Sequence, residues 1–349
     1  MAAHGPGGAT PADRTLRVTL TGVRSLTHLV YAASYLRHLL DADGTALEVG
    51  LVGLAPGLGR AVVTPEDVRA YLPSDDRLAL DLDVSEEHFL VRPDRERLLL
   101  SIGAPGLRVW SRMVRAGRGR PPRVVVVDEG IGSYGDVRTR LAAYRREGGG
   151  RAWPVVRASA VASGNRILTD VHWSLYRSTR AGWIVDREVA AEFARRLEGP
   201  ASPAGVAVYL TQPWPEVGIM AESDYLAHLD AVREQCASAG LRLVLRPHPS
   251  EDPDRYRGHD LLASRLPAEL DASVVTAAAV VGANSTALLN LAAVHGTRCV
   301  RVTAEDLRPL ERALGARQRS LLDTFLPPAI EVDRLGDRLR ELRDEGAAG

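Results

Sequence analysis

The sequence predicts an α/β protein built from two parallel-sheet domains, and three observations support this. Short apolar runs of strand length alternate with helical patterns from residue 16 onward, as expected for a parallel sheet with helices on both faces. The alternation stops at a Gly- and Pro-containing stretch, residues 198–203, and restarts at residue 206. A chain of 349 residues is also long enough for two compact domains. We therefore predict a disordered lead-in at residues 1–13, an N-terminal domain at 14–198 and a C-terminal domain at 204–349.

The first half opens with a strand, a short loop and a helix, which is how α/β domains commonly begin. Strands are predicted at residues 16–20, 47–52, 78–82 and 124–127, and helices at about 28–40, 65–71, 107–116 and 187–197. Residues 145–165 are rich in Gly, Ala, Ser and Arg and carry few periodic signals.

The second half repeats the pattern. Strands are predicted at residues 206–210, 241–246, 278–281 and 298–302, and helices at about 223–239, 287–294 and 332–343. Ser223 is the predicted cap of the first of these helices, and Gly240 and Gly296 are the predicted stops of the first two.

Composition excludes several classes of protein. The formal net charge is zero, so no overall field attracts nucleic acid or an anionic membrane, and an anion site must be built locally. All 44 basic residues are Arg. Cys236 and Cys299 lie in apolar segments with no metal-site or disulfide spacing, which suits a reducing cytoplasm. No apolar run reaches the roughly 18 residues of a membrane helix, so we expect a soluble protein with no integral membrane segment. The oligomeric state stays open.

His248 lies at the end of an apolar strand-like run, between Pro247 and Pro249. The prolines restrict the backbone on both sides and stop a helix from starting, so the imidazole is held on a stiff segment. Ligands of open α/β sheets bind beyond the carboxyl ends of the strands, and a histidine there suits a phosphate. A solvated histidine at a capped strand end is the alternative.

Two adjacent carboxylates, Asp128 and Glu129, follow the run of four valines. One is expected to face a ligand at the strand end while the other ties down the loop. Gly130, Gly132 and Gly135 spell G-x-G-x-x-G, but no strand and acidic residue follow at the dinucleotide-binding distance. We interpret the glycines as allowing close backbone approach to a bound group.

The segment Asn284-Ser285-Thr286 lies at a predicted strand-to-helix junction. Hydroxyls and unpaired backbone N–H groups at the positive end of a helix form a ready anion site. An ordinary helix cap is the alternative. Because this junction and His248 end strands of the same predicted sheet, a phosphate could be held by both.

These residues together resemble a known family. Asp128-Glu129-Gly130, His248-Pro249 and Ser285-Thr286 are similar, in this order, to the D/E-D/E-G, HP and S/T motifs of bacterial sialyltransferases. The α-2,8-polysialyltransferase-like and lipooligosaccharide sialyltransferase families are the most similar. Further matching positions are Ile131, Gly132, Ser133, Tyr134, Gln212-Pro213 and Arg246-Pro247. The resemblance covers the chain after residue 14. Arg246 stands where many members have Lys, and the segment from Ser25 to His28 matches only loosely.

The resemblance implies a GT-B fold, with two Rossmann-like domains facing a central cleft. It implies a CMP-activated sugar in the C-terminal domain, a glycan or small-molecule acceptor in the N-terminal domain, and inversion without metal or another cofactor. Asp128 or Glu129 would be the base, and His248 would meet the phosphate. The implied nucleotide-binding residues are Gln212, Arg246, Pro249, Asn284, Ser285 and Thr286, and the implied acceptor or loop residues are Ser25, His28, Gly130, Gly132 and Ser133.

The proposed chemistry is consistent with these residue types. The acceptor hydroxyl must lose a proton, and the leaving phosphate must be stabilised. Two alternatives remain open. One is a GT-B transferase or epimerase that uses a UDP- or CDP-activated substrate, and the other is a non-catalytic protein that binds a nucleotide or sugar on the same scaffold. A nicotinamide-dependent enzyme ranks below both.

Overall fold

The structure is a computed structural model that describes residues 15–43, 45–53, 63–82, 96–128, 130–146 and 152–347. The chain divides into two compact units. The first comprises residues 1–56, 63–129 and 159–175, and the second comprises 57–62, 130–158 and 176–349. The predicted lead-in at residues 1–13 lies outside the described residues. The predicted domain boundaries at residues 198 and 204, and the roles of the two domains, stay predictions.

The first unit contains, within its described residues, a six-stranded sheet in the order β3-β2-β1-β4-β5-β6, and every strand pair in it is parallel. Its strands are β1 (Thr15–Thr21), β2 (Ala46–Val52), β3 (Leu78–Asp81), β4 (Glu96–Ile102), β5 (Arg123–Val127) and β6 (Val171–Trp173). This is the order of the doubly wound dinucleotide-binding fold, in which the strand order reverses between β1 and β4.

The second unit contains, in its described part, a five-stranded sheet in the order β10-β9-β11-β12-β13, again with parallel pairs. A separate antiparallel hairpin precedes it. The strands are β7 (Tyr176–Thr179), β8 (Gly182–Val185), β9 (Val206–Leu210), β10 (Arg242–Arg246), β11 (Ala279–Gly282), β12 (Cys299–Thr303) and β13 (Ile330–Glu331). In chain order the sheet reads 2-1-3-4-5, which places its reversal between β9 and β11.

Helices follow the strands as the alternation predicts. They are α1 (Leu26–Asp43), α2 (Pro65–Tyr71), α3 (Leu107–Ala116), α4 (Val137–Arg146), α5 (Trp153–Leu168), α6 (Arg187–Arg195), α7 (Glu222–Ser238), α8 (Ala272–Val275), α9 (Thr286–His295), α10 (Arg308–Ala313), α11 (Ala316–Phe325) and α12 (Leu335–Ala347). None of the described helices is long and apolar enough to cross a membrane.

A buried apolar core lies between the second sheet and its helices. Tyr209 of β9, Leu245 of β10 and Val281 of β11 are fully buried, and they pack with Leu229 of α7 and Leu339 of α12. Strands buried on both faces read as continuous apolar runs, which is why β9 and β10 were recognisable in the sequence. This core fixes the carboxyl ends of the strands, where the predicted ligand groups lie.

Most predicted elements are confirmed within a few residues, and α2, α3 and β9 have the predicted bounds. Gly296 ends α9 in the left-handed region, at φ 65°, as a helix-terminating glycine does. Ser223 is not the cap of α7, because the N-cap position is Ala221 and no side chain caps that end. The last helix begins at Leu335 after a short 3₁₀ turn, Val332–Arg334.

Ten of the described strands and helices were missed: β4, β6, β7, β8, β13, α4, α5, α8, α10 and α11. Two of them show why. Strand β4 lies at the centre of the first sheet between β1 and β5, yet its sequence, ERLLLSI, is rich in Leu and carries no β-branched residue before Ile102. Helix α5 lies largely in the stretch, residues 145–165, that carries few periodic signals, and it was not predicted. Its buried side consists of small residues such as Ala158, so the usual apolar periodicity is absent.

Candidate functional site

The carboxyl edge of the second sheet is where a parallel α/β sheet binds a ligand. All strand pairs in this sheet are parallel, so the strands end on the same side. In doubly wound sheets the ligand crevice opens where the strand order reverses, which here is between β9 and β11. The segment after β9 starts at Thr211, and the segment after β11 starts at Ala283.

A cavity of about 260 Å³ lies at this reversal point. That is close to the lower end of small-molecule pockets, roughly 300 Å³. Gly132 lies at its wall, and the polar lining consists of Thr139 and Arg140 of α4, Gln212 after β9, Asn284 after β11, Glu311 of α10 and Gln318 of α11. Apolar lining comes from Trp214, Leu307, Leu310 and Leu314. The structure therefore brings Gln212, Asn284 and Gly132 together around one cavity, and their roles stay predictions.

The amide of Asn284 is oriented by a buried arginine. Arg301 Nη1 donates to Asn284 Oδ1 at 3.3 Å, while Arg301 Nε donates to the Pro327 carbonyl at 2.7 Å and Nη2 to Asp323 Oδ1 at 3.0 Å. Since the amide oxygen is engaged, the NH₂ group of Asn284 is the part left for a ligand. Sequence reasoning missed Arg301. Its signal was an arginine inside the apolar strand β12, CVRVT.

Ser285 caps the N-terminus of α9. Its backbone is extended and its Oγ accepts a hydrogen bond from Leu288 N at 3.0 Å. The cap uses a lone pair of the hydroxyl and leaves its proton available to donate. The first backbone N–H groups of the ten-residue helix and its dipole favour negative charge at the same point.

Thr286 also serves as a hydrogen-bond acceptor inside the second unit. Its Oγ1 accepts from Ile131 N at 3.0 Å, and Gln318 Nε2 donates to the Ile131 carbonyl at 3.1 Å. Gly130 has φ 116°, and a Cβ at this position would lie 2.8 Å from Thr286 Oγ1. The glycine is thus required both by its backbone conformation and by its approach to Thr286. The segment that follows the predicted carboxylates is anchored on α9 and α11.

The anchored segment continues as a short 3₁₀ turn, Ile131–Tyr134. Ser133 lies in this turn, and its N–H donates to the Gly130 carbonyl at 3.0 Å. Tyr134 is buried, and its hydroxyl accepts from Tyr176 N at 3.2 Å. The turn is therefore fixed at both ends within the second unit.

His248 is half-buried and held by four hydrogen bonds. Its backbone N–H is shared between Thr211 Oγ1 at 3.0 Å and Glu251 Oε2 at 2.7 Å. Its Nδ1 accepts from Ser250 N at 3.2 Å and lies 2.6 Å from Ser250 Oγ. Because Nδ1 accepts, the neutral ring carries its proton on Nε2. Burial lowers the pKa of His248, and the nearby Glu216 opposes that shift. Pro249 is exposed.

Glu251 is a buried carboxylate that fixes the segment carrying His248. Besides His248 N, it accepts from the hydroxyl of Thr211 and from Tyr256 Oη at 2.7 Å. Burial raises the pKa of Glu251, and these three donors oppose the shift. Sequence reasoning missed this residue. An acid three positions after His248, where it can reach back to a backbone N–H, was the available signal.

Arg246 is buried at the end of β10 and already has protein partners. Nη1 donates to Asp271 Oδ2 at 2.9 Å, and Nη2 donates to the Leu266 carbonyl. Burial lowers the pKa of the guanidinium, and Asp271 opposes this. Its predicted contact with a nucleotide stays a prediction. In the structure its guanidinium holds the chain around Leu266 and Asp271.

The remaining predicted residues belong to the first unit. Asp128 follows β5, is 4% exposed, and its Oδ2 accepts from Leu175 N at 2.9 Å. Glu129 lies outside the described residues. Ser25 and His28 lie together at the start of α1, where His28 N donates to Ser25 Oγ at 3.3 Å. His28 Nδ1 accepts from Arg24 N at 3.1 Å. These two residues follow β1, which lies at the reversal point of its own sheet.

No protein-family model matches the sequence, and no curated protein matches it. Several solved structures have a similar fold. A protein from Listeria monocytogenes described as a UDP-N-acetylglucosamine 2-epimerase has a TM-score of 0.50 and 11% identity, over 96% of this chain and 89% of that chain. Another UDP-N-acetylglucosamine 2-epimerase has a TM-score of 0.51 and 11% identity, over 94% and 87%. The glycosyltransferase of kitacinnamycin has a TM-score of 0.47 and 12% identity, over 96% and 91%.

At such low identity these similarities bear on the fold alone. The two with TM-scores of 0.50 and 0.51 cover nearly the whole chain. Together with the two parallel α/β sheets, they show that the chain has the GT-B architecture, with two Rossmann-like units. The fold class implied by the motif resemblance is confirmed.

Proposed function

We propose that this chain is an inverting glycosyltransferase that moves a sialic-acid-like sugar from a CMP donor to a hydroxyl acceptor without a metal ion. The observation that carries the proposal is the N-terminus of α9. Ser285 and Thr286 use their oxygen lone pairs inside the protein, yet both keep a hydroxyl proton for an anion. These are the residues that match the S/T motif, and they follow directly on Asn284 at the wall of the cavity.

The proposed nucleotide lies in this cavity. The NH₂ of Asn284 can donate to a carbonyl or ring nitrogen of the base, and Gln212 offers a second amide. The leucine-rich side and Trp214 give an apolar surface for a flat ring. The phosphate of the donor would then meet the hydroxyls and N–H groups that open α9.

His248 is the proposed partner of the departing phosphate. Its neutral ring presents Nε2–H, and no group among the described residues hydrogen-bonds that nitrogen. A lowered pKa keeps the ring neutral near pH 7, so it donates a hydrogen bond rather than a full charge in the ground state. As negative charge grows on the leaving phosphate, that donor stabilises it increasingly.

Asp128 is the proposed base for the acceptor hydroxyl. Asp128→Asn tests this, because the amide keeps an oxygen that can accept from Leu175 N while losing the basic carboxylate. We expect transfer to fall by ~10²- to 10⁴-fold with little change in melting temperature. Glu129→Gln is assayed in parallel, since Glu129 matches the second motif position. If both variants transfer sugar at the wild-type rate, the base assignment is wrong.

The decisive experiment is nucleotide binding in the presence of EDTA. CMP at about a hundred times its dissociation constant adds roughly 2.7 kcal/mol to the folded state, which is several degrees in melting temperature. We expect a shift with CMP and little with UDP or NAD. The Ser285→Ala, Thr286→Ala double variant should lose most of this shift, measured against its own ligand-free melting temperature. A CMP shift that requires a divalent metal contradicts the metal-free mechanism.

A second candidate is an enzyme acting on a UDP-activated sugar. It is favoured by the names of the two solved structures with TM-scores of 0.50 and 0.51, both UDP-N-acetylglucosamine 2-epimerases. A larger thermal shift with UDP than with CMP would select it. Release of nucleotide from a panel of CMP-, UDP- and CDP-sugars separates both candidates from a non-catalytic binding protein. The acceptor, the linkage and a cytoplasmic location stay predictions.

A further inference from the structure

Helix α5 exposes most of its large apolar side chains, and the residues that it buries are small. Trp153 is 60% exposed, Val156 55% and Ile167 76%, whereas Ala158 and Gly164 are buried. A surface helix of a globular protein ordinarily shows the opposite arrangement. Neither the proposed reaction nor the packing of the described residues uses these exposed groups.

Four exposed apolar residues of α5 lie along one side of the helix, and we call them the α5 stripe: Trp153, Val156, Ala160 and Ile167. The exposed Val155 lies on another side of the helix. At 3.6 residues per turn the residues of the α5 stripe fall within an arc of about 60° on the helix surface. With a rise of 1.5 Å per residue the stripe is about 21 Å long. Large apolar side chains scattered singly over a surface need no explanation, but an aligned set of this length marks an interaction surface.

Within the described residues, helices α4 and α5 carry positively charged side chains only. Helix α5, WPVVRASAVASGNRIL, contains Arg157 and Arg166 and no acidic residue. The Arg157 guanidinium lies 4.0 Å from the centre of the Tyr144 ring, so α4 is its neighbour. Helix α4, VRTRLAAYRR, contains four arginines and no acidic residue. The surface therefore suits a partner that is apolar within and negatively charged at its face.

We propose that the α5 stripe docks this protein on the surface of an anionic phospholipid bilayer, with the helix axis parallel to the membrane plane. Apolar residues including a tryptophan on one face, with arginines at its flanks, are the composition of helices that lie in the membrane interface. The arginines would lie at the level of the lipid phosphates. A symmetric second copy fits less well, since it would bring the arginines of two α5 helices together. This inference is independent of the donor nucleotide.

The test is flotation of the full-length protein with vesicles of phosphatidylcholine, alone or mixed with phosphatidylglycerol. We expect binding to the mixed vesicles that weakens as salt is raised, because exposed charges are screened over about 10 Å at 0.1 M ionic strength. Ile167→Glu should reduce the partition coefficient by roughly tenfold or more, since it removes an apolar contact and adds a negative charge at the lipid face.

Val217→Glu is the matched control. Val217 is 60% exposed, lies outside α4 and α5, and receives the same change. Because both sites are exposed, both variants should keep the wild-type melting temperature. Trp153 fluorescence gives a second readout: a blue shift on adding mixed vesicles that Trp153→Phe removes.

Three results would overturn the proposal. The first is that the wild-type protein does not float with mixed vesicles. The second is that Ile167→Glu and Val217→Glu bind them equally well. The third is a dimer in light scattering that Ile167→Glu dissociates while vesicle binding is unchanged, which would assign the α5 stripe to a second copy of the chain.

Discussion

Replacing Gly130, the third residue of the D/E-D/E-G match, by alanine tests whether this position requires a glycine. The backbone there has φ 116° and ψ −163°, a region essentially restricted to glycine. The added Cβ would also lie 2.8 Å from Thr286 Oγ1 and 3.2 Å from Thr286 Cγ2. Two separate costs are therefore expected from one methyl group.

The magnitudes follow from these two effects. Holding a non-glycine residue in this region costs on the order of 1–3 kcal/mol. Moving Thr286 away weakens its hydrogen bond with Ile131 N, worth about 0.5–1.5 kcal/mol. We expect Gly130→Ala to lower the free energy of unfolding of the second unit by roughly 2–4 kcal/mol. Gly218→Ala is the control, because Gly218 has φ 67° and no atom within 4 Å of an added Cβ. It should cost about 1–2 kcal/mol from backbone conformation alone.

The assay is urea denaturation of both variants, with and without Thr286→Ala. In the double variant the Cβ no longer meets a threonine, so the combined loss should be smaller than the sum of the single losses by roughly 0.5–1.5 kcal/mol. The CMP-induced thermal shift of Gly130→Ala should also shrink, since Thr286 is displaced. Equal losses for Gly130→Ala and Gly218→Ala, together with strict additivity with Thr286→Ala, would refute the reasoning.

Three further predictions follow. His248→Ala should cut turnover by ~10²- to 10⁴-fold with an unchanged melting temperature. Activity near the wild-type level would instead favour the alternative in which His248 is a solvated residue at the end of a strand. His228 is buried against Tyr209 Oη at 3.0 Å, and burial lowers its pKa to about 4. Between pH 6.5 and 4 the unfolded chain binds more protons at His228 than the folded chain does. The contribution of neutral His228 to the free energy of unfolding is therefore fully present above pH 6.5, and the free energy of unfolding falls by about 3 kcal/mol toward pH 4. His228→Gln should flatten urea midpoints across that window. Gln318→Glu keeps the acceptor for Gly315 N but loses the donor to the Ile131 carbonyl, so the free energy of unfolding should drop by roughly 1–2 kcal/mol and the urea midpoint should fall with it. An unchanged urea midpoint would contradict the anchoring role of Gln318.

The sequence predicted those elements whose apolar pattern matches the period or the burial of the element that forms. Helix α3 and strand β9 were found with their observed bounds for this reason. Strand β4 was missed because leucine has a high helix propensity, and its pairing with β1 and β5 outweighs that preference. Helix α5 was missed because its large apolar residues face outward, so periodicity gave no core-facing stripe.

The site was predictable to the level of which side chains end which strands. Gln212, His248 and Asn284 could be placed at one sheet edge, because parallel strands end on one side. The hydrogen bond from Ile131 to Thr286 could not be foreseen, since 155 positions separate the two residues and only the folded chain brings them together. The pairing of Arg246 with Asp271 has the same origin. Local sequence carries no information on such partners.

These tertiary contacts explain why hydroxyl residues suit the start of α9. Ser285 and Thr286 each accept one backbone N–H, from Leu288 and Ile131 respectively, and this leaves each hydroxyl proton to rotate toward a ligand. An aspartate at either position could accept the same bond, but it would have no proton to offer and would repel a phosphate. An alanine would lose both the acceptor and the donor. In the proposed function, fold stability and anion binding would therefore use different parts of the same hydroxyl group, so ligand affinity has to be measured relative to each variant's own stability.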